Sequence, residues 1–522
     1  MTLAAVLLLG AALGWAGRAR AVTLGGDEAT YLALSTSLES GQYRDTFLVG
    51  NPPHAKYPPA LPAWLLVVRT VAGPDLDVVR AVNLVLLLAT ALLLGDAVRR
   101  LAGPWLGVGA AAVTALNPSL QQLAGIVMGE SLYTLLATVA LWALVKRAED
   151  DPPPRGLLAL AIVAMLLAFL TRTIGVALIA GIGFAFLLQR RWRAVLAVGV
   201  PAAAVVLGWA AYSRAAASQS IGRNYGGELA YSASVAHSFS LVAHVMENLR
   251  TYLIWTPNGQ FGFPNRPDWP VDNAIFAVLL FVPVVAGMVL LLRRWPAAGW
   301  YLVLYLGVLL LWPFPDGRLV APVAPLMAVA AILALDAAGR RLSKGIGARA
   351  GLVAAAAIAT MGATSRWHHV GEVRSCRDEP PYESPRCNSE RERNWMAAAN
   401  FLRDSIPAGS VVATVQPAPI HRITGHQTIP LERLRPPGGL GMIRPGGPVT
   451  HVLLATYGGA ALPEDDGTGG HVCERLRIVG VFPPGAMVLE VLPAEAPPNP
   501  AACAAMSELN AYVESLVHER GA

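Results

Sequence analysis

The sequence is short of charge. Only 14% of its 522 residues are charged and 54% are apolar, where an average soluble domain carries about 25% charged residues. That balance excludes a disordered chain and argues against an ordinary cytosolic enzyme. Lysine is nearly missing: Lys56, Lys146 and Lys344 stand against 37 arginines. Arginine serves wherever a generic cation will do, so each lysine is worth locating. The net charge of +6 is spread over small arginine clusters between apolar runs, which excludes nucleic acid as a partner. The sequence also lacks a Walker loop, a Rossmann glycine pattern heading a βαβ unit, a His-Glu-x-x-His and a Gly-x-Ser-x-Gly. Its ten histidines show no metal-ligand spacing.

What charge there is lies unevenly. About one residue in eight is charged up to position 364, and about one in five beyond it. The chain therefore divides into a membrane-embedded region, 1–364, and a water-soluble region, 365–522. All four cysteines, Cys376, Cys387, Cys473 and Cys503, fall in the second. An even number confined to one domain points to disulfides and an oxidising compartment. Three pairings are open, and proximity favours Cys376 with Cys387 and Cys473 with Cys503.

A helix needs about 20 apolar residues to cross about 30 Å of hydrocarbon. Eleven runs read as spans, near 2–16, 77–98, 102–118, 128–145, 156–171, 173–189, 194–212, 272–292, 297–312, 319–338 and 350–364. The first lacks the basic flank of a signal peptide, and further spans follow it. The clusters Arg99-Arg100, Lys146-Arg147 with Arg155, Arg190-Arg191-Arg193, Arg293-Arg294 and Arg340-Arg341-Lys344-Arg349 fall on alternate loops. The positive-inside rule makes that side cytoplasmic. The N-terminus is then inside, and an odd number of spans puts the tail outside, where the cysteines also put it. The expected fold is a polytopic α-helical protein of the plasma (inner) membrane, N-in and C-out, with about eleven spans and an extracytoplasmic α/β domain.

Two outer loops are long, 17–76 and 213–271. Their amphipathic stretches, Tyr31–Leu38 and Phe239–Ile254, read as helices lying along the membrane surface. Pro58, Pro59 and Pro62 break the first loop before a second apolar stretch at Trp64–Val68. In the tail, Glu392–Ile406 has helical spacing with Trp395, Ala399 and Leu402 on one face. Ser410–Val415, His451–Thr456 and Ala486–Leu492 read as strands, Pro493–Pro500 as a linker and Ala501–His518 as a last helix.

Charges at the outer face are the functional candidates, since a charge at a membrane is costly. Asp27-Glu28 follows two glycines. The ordinary reading is a helix start, with Asp capping free N–H groups and Glu favouring the dipole; the functional one is a carboxylate able to take a proton or bind a cation. Glu130 is a lone acid at the mouth of the fourth span, and two carboxylates at one face can share a divalent cation. Lys56, in His54-Ala55-Lys56-Tyr57-Pro58-Pro59, is the only outer lysine, and prolines stiffen the backbone beside it. Arg172 lies between two apolar runs too close for a proper loop, and Arg318 follows Pro315-Asp316-Gly317. Both can snorkel to headgroups, or bind a phosphate, for which arginine geometry is suited. Arg80, at the start of the second span, is a weaker candidate. His368, His369, His421 and His426 read as surface or structural residues of the soluble segment.

Gly26-Asp27-Glu28 followed by Tyr31, then Lys56-Tyr57-Pro58-Pro59, Glu130, Thr171-Arg172 and Arg318-Leu319-Val320-Ala321-Pro322 resemble the GT-C glycosyltransferases. The nearest branch is the protein O-mannosyltransferase and aminoarabinose transferase-like group, and the resemblance covers most of the chain. It implies transfer of a sugar from a polyprenyl-phosphate donor, with inversion, to an acceptor hydroxyl on a lipid, glycan or protein. It further implies Asp27 as general base, with Glu28 or Glu130 positioning the acceptor or a divalent cation (Mg or Mn, held by Asp27 and Glu130). Lys56, Arg172 and Arg318 would stabilise the leaving phosphate. Tyr31, His54, Tyr57 and Arg80 would position donor or acceptor, and apolar span walls and membrane lipids would surround the prenyl tail. A secondary transporter would show internal repeats and mid-span charges on matched helices, and neither is present. A scaffold displaying its tail domain and a lipid-linked oligosaccharide ligase of similar frame are the other readings.

Overall fold

The computed structural model describes residues 3–149, 155–219, 225, 241–263, 270–342, 349–431, 447–455, 472–483, 485–493 and 495–521. Phe239 and Lys344 lie outside the described residues. In chain order the helices are α1 Leu3–Ala16, α2 Asp27–Glu39, α3 Ala60–Ala72, α4 Leu76–Ala102, α5 Pro104–Ala115, α6 Pro118–Ala124, α7 Glu130–Glu149, α8 Arg155–Thr171 and α9 Val176–Leu188. They continue as α10 Trp192–Gln219, α11 Leu241–Phe261, α12 Pro270–Arg294, α13 Pro296–Leu311, α14 Ala324–Leu342, α15 Ala350–Ser375, α16 Glu390–Ser405, α17 Pro417–Thr424 and α18 Pro500–Gly521. The strands are β1 Val411–Thr414, β2 Gln427–Pro430, β3 His451–Ala455, β4 Leu476–Phe482 and β5 Ala486–Val491.

The chain divides into two compact units. The first comprises Met1–Ala19, Lys56–Ser213 and Asn224–Arg374; the second comprises Arg20–Ala55, Arg214–Arg223 and Ser375–Ala522. Segment 20–55, which the sequence places with the membrane region, thus joins the tail's unit.

The first unit is a helical bundle, and each of the eleven apolar runs coincides with a helix in it. Among the described residues, four helices are long and apolar enough to cross a membrane: Leu76–Ala102, Trp192–Gln219, Ala274–Arg294 and Gly317–Leu342. Shorter apolar helices, among them Leu3–Ala16, Pro104–Ala115 and Thr173–Leu188, accompany them. The bundle packs through small residues, as expected where lipid is as apolar as the helix surface. A Cβ at Gly287 on α12 would strike the Ala330 carbonyl on α14, and one at Gly181 on α9 would strike the Tyr301 backbone on α13. The α4–α5 hairpin turns at Gly103, where φ is 98° and a side chain would be strained, and Pro104 opens α5. Pro62 breaks nothing: α3 begins at Ala60, so the proline falls in its first turn, where no N–H is missed.

One boundary differs. α15 runs to Ser375, well past residue 364, because nothing in 365–375 stops a helix. His368 and His369 therefore ride on a helix of the bundle. Arg366 on the same helix is buried and donates from Nη2 to the Gly17 carbonyl at 2.6 Å.

The second unit is α/β. Its sheet has the order β2-β1-β3-β5-β4. β1 is parallel to β2 and β3, while β3–β5 and β5–β4 are antiparallel. The three strands read from the sequence form the centre. The two unread ones form the edges: β2 ends in a proline, which an edge tolerates, and β4 is bulged between Ile478 and Gly480. Trp395, Ala399 and Leu402 of α16 are buried with Val412, Leu453 and Val488. A capping box closes the start of α16, with Ser389 and Glu392 exchanging bonds. The cysteines pair as Cys376–Cys387 and Cys473–Cys503.

Segment 20–55 belongs here for a physical reason. Leu48 bridges Thr428 of β2, Thr428 donates N–H to the Phe47 carbonyl at 2.9 Å, and Val49 donates to the Thr428 carbonyl at 3.2 Å. The segment covers an edge that would otherwise expose unpaired backbone groups. α2 packs against α17.

Candidate active site

In the bundle, Glu130 opens α7 and is fully buried. Its Oε1 accepts a hydrogen bond from Arg172 Nη1. Arg172 stands where α8 ends: its backbone is extended (φ −146°, ψ 129°), and a single 3₁₀ turn, Thr173–Gly175, leads into α9. The missing loop noticed in the sequence is this sharp turn. The guanidinium does not snorkel outward; it is mostly buried and paired. Glu130 Oε2 is buried with no hydrogen-bond partner among the described residues.

Three buried tyrosines lie near this pair, and the sequence reading missed them. Tyr133, one turn along α7 from Glu130, has its hydroxyl 3.1 Å from that of Tyr301. The Tyr301 and Tyr305 rings meet edge to face with centroids 5.6 Å apart. The only signal was the i, i+3 spacing of Glu130 and Tyr133.

Lys56 is held by aromatic faces. Its Nζ lies 5.5 Å from the Tyr57 ring centroid and 5.6 Å from that of Tyr225. Tyr225 in turn meets Trp312 at 5.8 Å, edge to face. Such faces attract a cation. Tyr57 and the prolines adjoin Lys56 in sequence; Tyr225 does not, and no local pattern announces it.

Arg318 is the second residue of the 3₁₀ segment Gly317–Val323 and pairs through Nε with Asp316 Oδ2 at 2.7 Å. Asp316 Oδ1 also accepts the Arg318 N–H at 2.9 Å, capping the turn. Arg80 is buried and donates to Asp77 Oδ1 at 2.9 Å. Asp77 Oδ2 accepts from Arg18 Nη2 at 2.8 Å, so these charges fasten the chain just after α1 to the start of α4.

In the α/β unit, the cap of α2 is Gly26 (φ 91°), with no side-chain capping bond. Asp27 is the first helical residue, not the cap that the ordinary reading made it, and it is half-buried. Glu28 is fully buried and turns back to accept the Thr23 N–H. Tyr31 is buried one turn later. His54 is buried with Nδ1 2.6 Å from Asp45 Oδ1, and its ring meets Tyr43 edge to face at 5.5 Å. Asp45 was not a candidate in the sequence. It reaches His54 because Arg44 and Pro53 form an antiparallel bridge, which spacing alone does not reveal. His421 and His426 are structural: His421 Nδ1 lies 2.9 Å from the His426 carbonyl, and His426 Nε2 lies 3.0 Å from that of Leu402.

The helical architecture resembles that of GT-C membrane proteins, the resemblance that the sequence motifs carried. Among solved structures the chain is similar to ArnT from Cupriavidus metallidurans in the apo state (TM-score 0.56, 14% identity, 95% of this chain and 98% of that one). It is similar to the same protein bound to undecaprenyl phosphate, with TM-score 0.51 at the same identity and coverage. It is also similar to the Archaeoglobus fulgidus oligosaccharyltransferase tethered to an acceptor peptide (TM-score 0.51, 15% identity, 87% of this chain and 69% of that one). At these identities the likeness is one of fold. No protein-family model and no curated protein sequence matches the chain.

The fold family brings a divalent cation into question. Within the bundle Glu130 Oε2 is a buried carboxylate oxygen with no hydrogen-bond partner among the described residues, and Glu130 is paired with Arg172 through its other oxygen. No group of three or more His, Cys, Asp or Glu gathers among the described residues. The chemistry below is derived from the side chains alone.

Proposed function

We propose that the protein moves a sugar from a polyprenyl-phosphate carrier to an acceptor hydroxyl, with inversion, at the outer face of the plasma membrane. One observation carries the reading: nearly the whole chain shares its fold with a protein that binds undecaprenyl phosphate, over 95% of one chain and 98% of the other. In this reading the bundle crosses the membrane about eleven times, N-terminus inside, and the α/β unit is extracytoplasmic.

The chemistry follows from the side chains. Asp27 takes the proton of the acceptor hydroxyl as it attacks the anomeric carbon. The departing lipid phosphate is a weak base and needs charge stabilisation more than a proton. Lys56, lying against two tyrosines, and Arg172 and Arg318, each paired with a carboxylate, are cations that can meet it. Tyr31, His54 and Tyr57 shape the acceptor and donor positions. Glu130 holds Arg172, Glu28 holds the turn before α2, and Arg80 holds the bundle.

The test is transfer of label from radioactive polyprenyl-phosphate sugars in membranes, comparing wild type with Asp27→Ala and Lys56→Met. Both variants should lose transfer. Equal labelling in wild type and Asp27→Ala would sink the base assignment, and solute uptake without any labelling would favour a transporter. The likeness to an oligosaccharyltransferase supports a second reading, a ligase using a lipid-linked oligosaccharide. It is favoured if label moves only from oligosaccharide donors.

A further inference from the structure

Buried polar side chains are costly in an apolar bundle and mark function when they gather. In this bundle three of them gather on one short stretch of backbone, from the end of α13 to the 3₁₀ segment that carries Arg318. Asn248 Nδ2, on α11, donates to the Leu310 carbonyl at 3.0 Å and the Trp312 carbonyl at 2.7 Å. Gln260 Nε2, also on α11, donates to the Gly317 carbonyl at 2.8 Å. The Tyr305 hydroxyl, on α13, donates to the Leu319 carbonyl at 2.7 Å. All three donors are buried.

The pattern is specific. The carbonyls of Gly317 and Leu319 flank Arg318 on both sides, and each is gripped from a different helix. Gln260 is itself held: its own carbonyl accepts from Asn117 Nδ2 at 2.7 Å, and Asn117 caps α6. A continuous run of bonds therefore joins the start of α6 to the backbone at Arg318. The segment contains Pro313, Pro315 and Pro322, which cannot donate backbone N–H groups. Side chains must secure this turn.

We propose that Gln260 and Tyr305, with Asn248, are positioning residues: they hold the backbone on either side of Arg318 so that its guanidinium is delivered to the donor's phosphate in one place. This rests on the functional reading above, in which Arg318 meets that phosphate. It predicts a coupling. Removing a grip should weaken phosphate binding only while the guanidinium is there to be misplaced.

The experiment measures binding of undecaprenyl phosphate to the purified full chain in detergent, in a double-mutant cycle. Tyr305→Phe and Gln260→Met each remove one donor while keeping shape. Each should weaken binding about three- to ten-fold, the scale of one lost hydrogen bond. In an Arg318→Gln background, already weakened, they should change binding less than two-fold. Thermal unfolding of every variant is recorded alongside. Equal losses in both backgrounds, or a lowered midpoint with unchanged binding, would overturn the positioning role. If wild type does not bind undecaprenyl phosphate, or Arg318→Gln binds as well as wild type, the functional reading of Arg318 fails and the proposal with it.

Discussion

Arg172 donates from Nη1 to Oε1 of Glu130 across 42 residues of sequence, joining the break between α8 and α9 to the first residue of α7. The pair is the principal buried charge of the site in the bundle. Removing one partner of a buried pair costs about 3–5 kcal/mol, because the other is stranded, whereas removing both costs far less. Arg172→Met should therefore lower the thermal midpoint of the detergent-solubilised protein more than the double variant Glu130→Gln/Arg172→Met does. A double variant as unstable as the single would show that the pair does not carry this energy.

Asp27 and Glu28 are neighbours with different surroundings, and substitution separates their roles. Asp27→Asn should cut transfer by about 10²- to 10⁴-fold, the scale of a lost general base. The thermal midpoint of the variant, recorded alongside, separates this loss of transfer from unfolding. Glu28→Leu strands the Thr23 N–H and should cost about 1–3 kcal/mol of stability. Its transfer rate per folded molecule should change less than about ten-fold. A larger loss would return Glu28 to the chemistry.

The two disulfides close loops of different length, with sequence separations of 11 and 30. Loop-closure entropy assigns them about 2.8 and 3.6 kcal/mol respectively. Replacing Cys473 and Cys503 with serine should thus destabilise the α/β unit more than replacing Cys376 and Cys387. Unfolding monitored by proteolysis of the two double variants checks the order.

His451 provides a pH dependence. Burial in the sheet pushes its imidazole below the usual range, although Glu490, opposite on β5, pulls the other way. The folded unit therefore keeps it neutral, while the unfolded chain takes a proton below about pH 6.5. The unfolded state then binds more protons, so this contribution to stability is present above about pH 6.5 and is lost as the pH falls toward the lowered value. His451→Phe should reduce the drop in stability between about pH 7.5 and 5.5. An unchanged drop would assign the acid sensitivity to other groups.

Much of this was legible before any coordinates. Apolar runs mark helices because hydropathy is a sum over neighbours, and all eleven runs are helical. Strands β1, β3 and β5 were legible because central strands are continuously apolar. Edges β2 and β4 were not, since a proline in one and a bulge in the other blur the pattern. The histidines at 368 and 369 were misplaced because the charge gradient that marks the soluble region begins before α15 ends.

The sequence by itself determined the helical bundle, the cysteine-bearing α/β unit and the short set of charges worth naming. These follow from composition and local spacing. Only the tertiary structure decided what each charge is held by. Glu130 with Arg172, Lys56 with Tyr225, His54 with Asp45 and the grip on the Arg318 turn each join residues whose separation carries no periodic signal. It also decided that 20–55 belongs with the tail, because only a folded sheet has an edge to cover. Burial makes these partnerships energetically necessary, and burial is a property of packing between distant segments.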